Sequence, residues 1–217
     1  MDFDQARINM IKQQIRTCGV HDETVLEVIA KTPRERFVPE PFKALAFADF
    51  PIPIGHGQFM LCPKEEAQIL QSLQLKGDEK VLEVGTGSGY FTALLAQQAK
   101  QIISVDIIAS FMTPAAKRLT ELEISNTTFT SGNAALGWES YAPYDIIVIT
   151  GSLRTLPRTF LEQLSVGGRL FAILGQEPAM TATLITHEAA DHWQELPLFE
   201  TVVTPLQEVQ RPDPFIF

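Results

Sequence analysis

The sequence has few of the features that mark secreted, membrane-embedded or metal-binding proteins. Its two cysteines, Cys18 and Cys62, are too few and too far apart for a disulfide framework or a metal site, so no metal is expected. No apolar run approaches the length of a membrane span. The first residues lack the basic-then-apolar pattern of a secretory leader. The expected location is therefore cytoplasmic.

The chain also lacks an excess of basic residues. Its formal net charge of −9 argues against nonspecific binding to nucleic acid or to an anionic membrane, and it allows a polypeptide substrate. Internal repeats and low-complexity tracts are missing too. What is present, 45% hydrophobic and 20% charged residues over 217 positions, is ordinary for one globular domain with an extension. These numbers leave the oligomeric state open.

The most informative segment combines an apolar strand, a glycine turn and a helix. Residues 81–91 read Val-Leu-Glu-Val-Gly-Thr-Gly-Ser-Gly-Tyr-Phe. A turn without side chains lets the backbone approach a ligand that a Cβ would exclude. A dinucleotide fingerprint places its third glycine three positions after the second, and Tyr90 occupies that position here. The pattern, with Glu83 ahead of it, resembles the nucleoside loop of class I S-adenosylmethionine-dependent methyltransferases, and a nicotinamide oxidoreductase is the alternative.

An acid follows the next predicted strand. The segment Gln-Ile-Ile-Ser-Val-Asp at 101–106 is expected to be a short buried strand that ends in a carboxylate, about 20 residues after the glycine turn. Asp106 is thereby placed to accept hydrogen bonds from ribose hydroxyls. In the alternative interpretation, Asp106 only caps the helix that follows.

Strands and helices alternate beyond residue 63. Strands are predicted at 81–84, 102–105, 127–130, 145–150 and 169–174, with helices that include 63–73, 110–122 and 157–164. This alternation predicts an α/β fold with a doubly wound, Rossmann-like and mostly parallel sheet. An antiparallel hairpin of 181–186 and 198–203 is expected to close it.

The N-terminal part is predicted to contain two helices followed by an irregular, proline-rich stretch. Apolar residues at helical spacing predict a first helix over about 3–17, and Asp22 is expected to cap a second one that ends at Thr32. Between 37 and 63, five prolines and two glycines rule out continuous regular structure. The apolar content of this stretch indicates an ordered, functional loop.

Four segments in order resemble the protein-L-isoaspartate O-methyltransferase family. Residues 33–39, Pro-Arg-Glu-Arg-Phe-Val-Pro, are similar to its Pro-Arg-Glu-x-Phe-Val-Pro, and 48–58, 82–90 and 163–170 to its substrate loop, nucleoside turn and fifth strand. The resemblance implies methyl transfer from S-adenosyl-L-methionine, leaving S-adenosyl-L-homocysteine, to the free carboxylate of isoaspartyl residues in damaged polypeptides. It also implies an N-terminal helical extension and substrate loop at 1–62, followed by the S-adenosylmethionine-binding methyltransferase domain at 63–217.

Candidate site residues follow from these matches and positions. The predicted cofactor-binding residues are Glu83, Gly85, Thr86, Gly87, Ser88, Gly89, Asp106, Ile107, Gly132 and Asn133. The predicted substrate loop comprises Ile54, Gly55, His56, Gly57, Gln58, Phe59 and Met60. The candidate catalytic positions are Leu61, where the family has a serine, Asp49, which alternatively pins the loop, and Thr150, at the rim where open sheets bind ligands.

The acceptor side departs from the family pattern. The family's Thr-Ile-Ser-x-Pro is Phe-Met-Leu-Cys-Pro at 59–63, its Gly-Asp-Gly is Gly-Asn-Ala at 132–134, and the arginine of its Arg-Phe-Val-Pro-Leu is absent from 202–206. Methyl transfer to an ionised carboxylate needs no general base, so the missing hydroxyls are positioning groups. Thr150 and Ser152 are hypothesised to replace them. Two alternatives stay open: a methyltransferase of the same family with a more apolar acceptor, and a non-catalytic module that binds S-adenosylmethionine.

Overall fold

A computed structural model describes residues 2–207. Its helices are α1 (Phe3–Met10), α2 (Glu23–Lys31), α3 (Pro63–Leu73), α4 (Tyr90–Ala96), α5 (Met112–Glu121) and α6 (Arg158–Glu162). Its strands are β1 (Pro53–Gly55), β2 (Gln58–Phe59), β3 (Lys80–Val84), β4 (Gln101–Asp106), β5 (Thr127–Ser131), β6 (Tyr144–Leu153), β7 (Leu164–Gln176), β8 (Ala179–Ala189) and β9 (His192–Glu200). No helix within 2–207 is both long and apolar enough to cross a bilayer.

Seven strands form one sheet in the order β5-β4-β3-β6-β7-β8-β9. The pairs from β5 to β7 are parallel, and β8 and β9 add to the edge antiparallel. The predicted doubly wound, mostly parallel α/β sheet with an antiparallel closing hairpin is therefore confirmed. Because the strand order reverses at β3, the carboxyl ends of β3, β4 and β6 meet where open sheets bind ligands.

The strands of the closing hairpin have different bounds from those predicted. Its second strand is His192–Glu200, not 198–203, and β8 is longer than 181–186. Residues 201–207 leave the sheet edge and run beside the end of β6, where Ser152 N donates to Thr204 O (3.1 Å) and Leu206 N to Ser152 O (3.0 Å). Val203, the last residue of the predicted strand, therefore lies beside the end of β6, where its O accepts from Ser152 Oγ at 3.2 Å.

The N-terminal part is held to the sheet by a shared apolar core. The first helix continues through a π-helical turn at Ile11–Ile15, and Asp22 caps α2 by accepting from Thr24 N at 2.8 Å, as predicted. Met10 and Ile29 lie in one hydrophobic cluster with Val81 and Phe171 of the sheet. The opposite face of the sheet packs under α6 in a second cluster. Positions 1 and 208–217 of the two predicted domains lie outside the described residues.

Candidate active site

A cavity of about 1270 Å³ opens above the carboxyl ends of β3, β4 and β6. The half predicted to bind the methyl donor, the donor half, consists of 85–88, 106–108 and 132–135. The facing acceptor half consists of 58–62, 150–152, Arg154, 175–177 and 202–207. Most of the predicted site residues line this cleft, and four do not: Asp49, Gly55, Glu83 and Gly89.

The glycine turn forms the floor of the donor half. Gly85 adopts φ +102°, and a Cβ built there lies 2.2 Å from Oγ1 of Thr150. Gly87 adopts φ +50°, and its Cβ would approach Cδ1 of Ile54 to 3.1 Å. Left-handed backbone of this kind is accessible to glycine at little cost. A side chain at Gly85 would therefore collide with Thr150, and one at Gly87 would crowd Ile54, so both positions favour glycine. Gly89, at φ +83°, packs against Ala115 of α5 and only shapes the turn.

Asp106 ties the turn to the end of β4. Its Oδ2 accepts from Gly87 N (3.0 Å) and its Oδ1 from Ile108 N (2.8 Å). A carboxylate oxygen can accept more than one hydrogen bond, so both oxygens keep capacity for hydroxyls of a ligand in the cleft. Asp106 does bond to the residue two positions on, as a cap does, and it also lines the cleft. The two interpretations of this acid are thus compatible.

Glu83 lies beneath the cleft, contrary to its predicted place in the ligand site. It is fully buried, and its Oε2 accepts from Thr92 Oγ1 (2.5 Å) and Ser104 Oγ (2.6 Å). Ser104 Oγ is also 2.5 Å from Oγ1 of Thr86, which lines the cleft. Burial raises the pKa of Glu83 to about 8. Because strands inside a parallel sheet are buried on both faces, this position supports the turn from below.

The remaining donor-half residues follow β5. Gly132 is bare because the ring of Trp138 occupies the space, 2.7 Å from a Cβ built there. Oδ1 of Asn133 accepts from Ala135 N at 2.9 Å. The side-chain oxygen of Asn133 is thus engaged in shaping its own loop, while Gly132 and Asn133 line the cleft beside Ile107, as predicted cofactor-binding residues.

The substrate loop is a short hairpin, β1–β2, that reaches over the donor half. Three successive residues at its tip, Gly55, His56 and Gly57, have positive φ (95°, 53° and 70°). The tip turns His56 toward 106–111, where Nε2 lies 3.1 Å from Ser110 Oγ and the ring meets Phe111 edge-on at 5.5 Å. His56, predicted in the substrate loop, therefore has a structural hydrogen bond across the cleft.

Beyond the hairpin, the loop gives the acceptor half an apolar wall. Phe59 is 48% exposed, Met60 is buried and Leu61 is partly buried. At Leu61 the side chain has no polar atom, and its backbone oxygen accepts from Arg34 Nη2 at 2.7 Å. Leu61 therefore contributes shape to the cleft and no hydrogen-bonding side chain.

A buried ion pair that was not selected from the sequence supports this wall. The guanidinium of Arg34 is fully buried, bonds to the carboxylate of Glu66 and donates from Nε to Ala46 O at 2.9 Å. It also lies 4.7 Å from the ring centre of Tyr90. Burial raises the pKa of Glu66 to about 7, and the positive charge of Arg34 opposes that rise. The Pro-Arg-Glu motif was the available signal, but its partner at position 66 is set only by the tertiary fold.

Thr150 and Asp49, two of the candidate catalytic positions, both bond to other parts of the chain. Thr150 Oγ1 donates toward Val84 O (3.0 Å) and Gly85 O (2.9 Å), so its hydroxyl hydrogen is engaged by the turn, although it lines the cleft. Asp49 binds Lys64 Nζ at 2.6 Å in a separate shallow groove. That geometry agrees with pinning the loop and not with a catalytic position.

Comparison with known proteins identifies relatives along most of the chain. A family model described as Protein-L-isoaspartate(D-aspartate) O-methyltransferase (PCMT) matches residues 5–209. Protein-L-isoaspartate O-methyltransferase 1 of Rhodopseudomonas palustris is 40% identical over 190 residues, which is 87% of this chain and 78% of that protein. Protein-L-isoaspartate O-methyltransferase of Protochlamydia amoebophila is 37% identical over 198 residues, 91% of this chain and 94% of that protein.

Solved structures share the fold. A Plasmodium falciparum protein described as a protein-L-isoaspartate O-methyltransferase, in complex with S-adenosyl-L-homocysteine, superposes with a TM-score of 0.80 at 18% identity and covers 96% of this chain and 100% of its own. A second structure, described as protein-L-isoaspartate O-methyltransferase, has a TM-score of 0.78 at 21% identity and covers 92% and 65%.

The sheet order, the glycine turn and the acid at the neighbouring strand end belong to an α/β fold that the two solved structures share. The family model and the curated relatives make it a methyltransferase. Within that class, the residues matched by the family model and the sequence identities to the curated relatives show the family. The chain belongs to the protein-L-isoaspartate O-methyltransferase family, and the family predicted from the sequence is confirmed.

Proposed function

We propose that this protein transfers a methyl group from S-adenosyl-L-methionine to the free carboxylate of isoaspartyl residues in damaged polypeptides. The observation that carries the proposal is a single cleft in which the glycine turn and Asp106 face the substrate-loop hairpin. Membership of the family supports the choice of acceptor.

The donor half offers the groups that a nucleoside with a sulfonium requires. A side chain at Gly85 would collide with Thr150, so the turn presents bare backbone to the cleft. Asp106 has lone pairs left for ribose hydroxyls beside the two amides that it already binds. Bound in this half, S-adenosyl-L-methionine supplies an electrophilic methyl group on a positively charged sulfur.

In the transfer step, the residues of the chain align the reactants and exclude water. An isoaspartyl carboxylate is ionised at neutral pH, so no side chain has to remove a proton. One carboxylate oxygen forms a bond to the methyl carbon while the sulfur–carbon bond breaks and its electron pair stays on sulfur. Proximity and alignment contribute up to roughly 7–11 kcal/mol to such a step. Ile54, packed over Gly87, and the buried Met60 keep the reacting centre apolar.

We further propose a cytoplasmic location, and a polypeptide as the macromolecular partner in place of nucleic acid or membrane. The net charge of −9 supports the kind of partner, and the two unpaired cysteines support the location. We also propose a division of labour in which 1–62 supplies the substrate loop and 63–217 binds the donor. The ends of β6 and β7 add to the acceptor half in that arrangement.

Two assays in series test the proposal. S-adenosyl-L-homocysteine is titrated calorimetrically, and methyl transfer from S-adenosyl-L-methionine is then measured on an isoaspartyl peptide and on the same peptide with ordinary aspartate. We expect binding and methylation of the isoaspartyl peptide alone. Binding without turnover on the isoaspartyl peptide contradicts the proposed reaction, and preferential binding of NAD contradicts the proposed donor.

A substitution at Asp106 tests the donor half directly. In Asp106→Asn we expect the affinity for S-adenosyl-L-homocysteine to fall roughly 10–100-fold, because hydrogen bonds to a charged group are worth about 1.5–3 kcal/mol. Asp145→Asn is the matched control, since Asp145 also binds a backbone amide (Lys80 N, 2.9 Å) but does not line the cleft. Equal affinities for S-adenosyl-L-homocysteine in the two variants would contradict a role of Asp106 in donor binding.

A further inference from the structure

The acceptor half holds a cation that the reaction described above does not use. Arg154 is the one Lys or Arg among the cleft-lining residues of 2–207. Its exposed guanidinium donates from Nη2 to Oε1 of Gln176 at 2.6 Å. None of the ion pairs within the described range includes it. A guanidinium has five N–H donors, so most of its donors are available to a ligand.

The strand order places Arg154 on the acceptor side. Residues of the donor half follow β3, β4 and β5, whereas Arg154 follows β6 and Gln176 ends β7, on the other side of β3. The segment 201–207 runs past the same strand end, with Ser152 bonded to Thr204 and Leu206. Arg154 therefore lies across the cleft from the glycine turn.

Several other charged and hydroxyl groups that line the cleft already have partners. Glu66 is paired with Arg34, and Glu65 accepts from Cys62 N at 2.7 Å and from the Thr201 hydroxyl. The hydroxyl of Ser152 donates to Val203 O at 3.2 Å, and that of Thr150 to the turn. Glu177 also lines the cleft. It follows Gln176 in the chain and forms no ion pair with Arg154. An incoming carboxylate thus meets one uncommitted positive charge.

We propose that Arg154 binds the carboxylate that accepts the methyl group, in place of the hydroxyls missing at Phe59 and Leu61. This inference rests on the proposed function. A guanidinium offers two parallel N–H groups that match the two oxygens of a carboxylate. As one oxygen bonds to the methyl carbon and sulfur retains the electron pair, the carboxylate becomes a neutral ester. The ion pair is therefore strongest before transfer and weakest after it, which favours substrate binding and product release.

The expected kinetic signature follows from that change in charge. An interaction that is stronger with the substrate than with the transition state affects KM more than kcat. In Arg154→Ala we expect KM for an isoaspartyl peptide to rise at least about tenfold, with kcat changed less than about threefold. Arg154→Lys keeps the positive charge but loses the two parallel N–H groups, so its KM is expected to lie between those of the wild type and Arg154→Ala. The control is Arg158→Ala, which makes the same charge change on α6, where Arg158 pairs with Glu162 at 3.1 Å outside the cleft.

Peptide binding provides a readout that does not depend on turnover. The protein saturated with S-adenosyl-L-homocysteine is titrated with the isoaspartyl peptide and with the same peptide carrying that carboxylate as an amide. We expect Arg154→Ala to weaken binding of the acid at least about tenfold and binding of the amide less than twofold, and Arg158→Ala to change neither.

The outcomes separate the two hypotheses. Equal behaviour of the Arg154→Ala and Arg158→Ala proteins, or equal losses for acid and amide, overturns the role of Arg154 whether or not methyl transfer occurs. Binding of the acid that depends on Arg154, without methylation, supports this role and overturns the proposed reaction. If the wild-type protein binds neither peptide, both fail.

Discussion

The donor half is assembled from three strand ends that lie side by side, whereas the acceptor half combines the hairpin β1–β2, the ends of β6 and β7 and the segment 201–207. Backbone groups dominate the first: the turn residues Gly85 and Gly87 and the amides bound by Asp106. Side chains dominate the second, and there Phe59 and Leu61 stand where the family has hydroxyl groups, beside the cation of Arg154.

This difference shows where substitution is tolerated. A backbone turn held by left-handed φ angles accepts few alternatives, because almost any side chain collides or strains it. A wall of side chains can be rebuilt one position at a time, provided that the backbone behind it stays fixed. Here the backbone of Leu61 is fixed by Arg34. The following predictions test this contrast.

The largest expected effect concerns the support of the acceptor half. Glu66→Gln leaves the buried charge of Arg34 without a counter-charge, and removal of one partner of a buried pair costs about 3–5 kcal/mol. We expect the free energy of unfolding, measured by denaturant titration, to fall by this amount. Glu27→Gln, which breaks the exposed pair with Lys31, is the control and should leave the free energy of unfolding nearly unchanged. Equal losses in both variants would contradict the assigned role.

The next effect tests the rigidity of the donor half. Gly85→Ala places a Cβ 2.2 Å from Oγ1 of Thr150 at φ +102°. We expect the affinity for S-adenosyl-L-homocysteine, measured by calorimetry, to fall about 100-fold, which corresponds to roughly 3 kcal/mol of strain. Gly77→Ala is the control, because Gly77 has nearly the same φ, +98°, with nothing within 4 Å of its Cβ. Wild-type affinity in the Gly85→Ala protein would show that the turn adapts.

The pH dependence of stability tests the buried carboxyl group of Glu83, which lies beneath the donor half. The pKa of Glu83, about 8 in the folded protein, is above its ordinary value of 4.5 because of burial, so its contribution to stability is complete below pH 4.5 and is lost as pH rises through 8. Between pH 6 and pH 9 this group should cost the protein about 2–3 kcal/mol of unfolding free energy.

In Glu83→Gln, which cannot ionise, we expect that part of the decline to disappear. The exposed Glu162→Gln variant should keep the wild-type slope. Unfolding free energies of the three proteins at pH 6, 7.5 and 9 provide the measurement. Parallel slopes in all three would mean that Glu83 is not the titrating group.

The smallest effect concerns the side-chain amide of Asn133, one of the predicted cofactor-binding residues. Asn133→Asp preserves an oxygen that accepts from Ala135 N, so the loop should keep its shape. We expect the affinity for S-adenosyl-L-homocysteine to change less than about tenfold in calorimetric titration. A larger loss would contradict the placement of Asn133 in the donor half.

Local signals predicted most of the fold and the donor half. The strand–glycine turn–helix order, the helix that begins at Pro63, and the acid at the end of β4 are readable because residues close in sequence determine them. The spacing before the glycines does not reveal that the Glu83 side chain bonds to Thr92 and Ser104 and does not line the cleft. The last strand was displaced because Leu198 and Phe199 belong to the sheet edge, whereas Val203 lies beside the end of β6.

The sequence by itself determined the class of fold, the family and the turn at the donor side, since each depends on local order and spacing. Only the tertiary structure decided that Asp49 pairs with Lys64, that Arg34 and Glu66 share a buried site, and that Arg154 lines the same cleft as the glycine turn. Those pairings join segments far apart along the chain. Their distances depend on how helices pack on the sheet, and residue spacing carries no information about that packing.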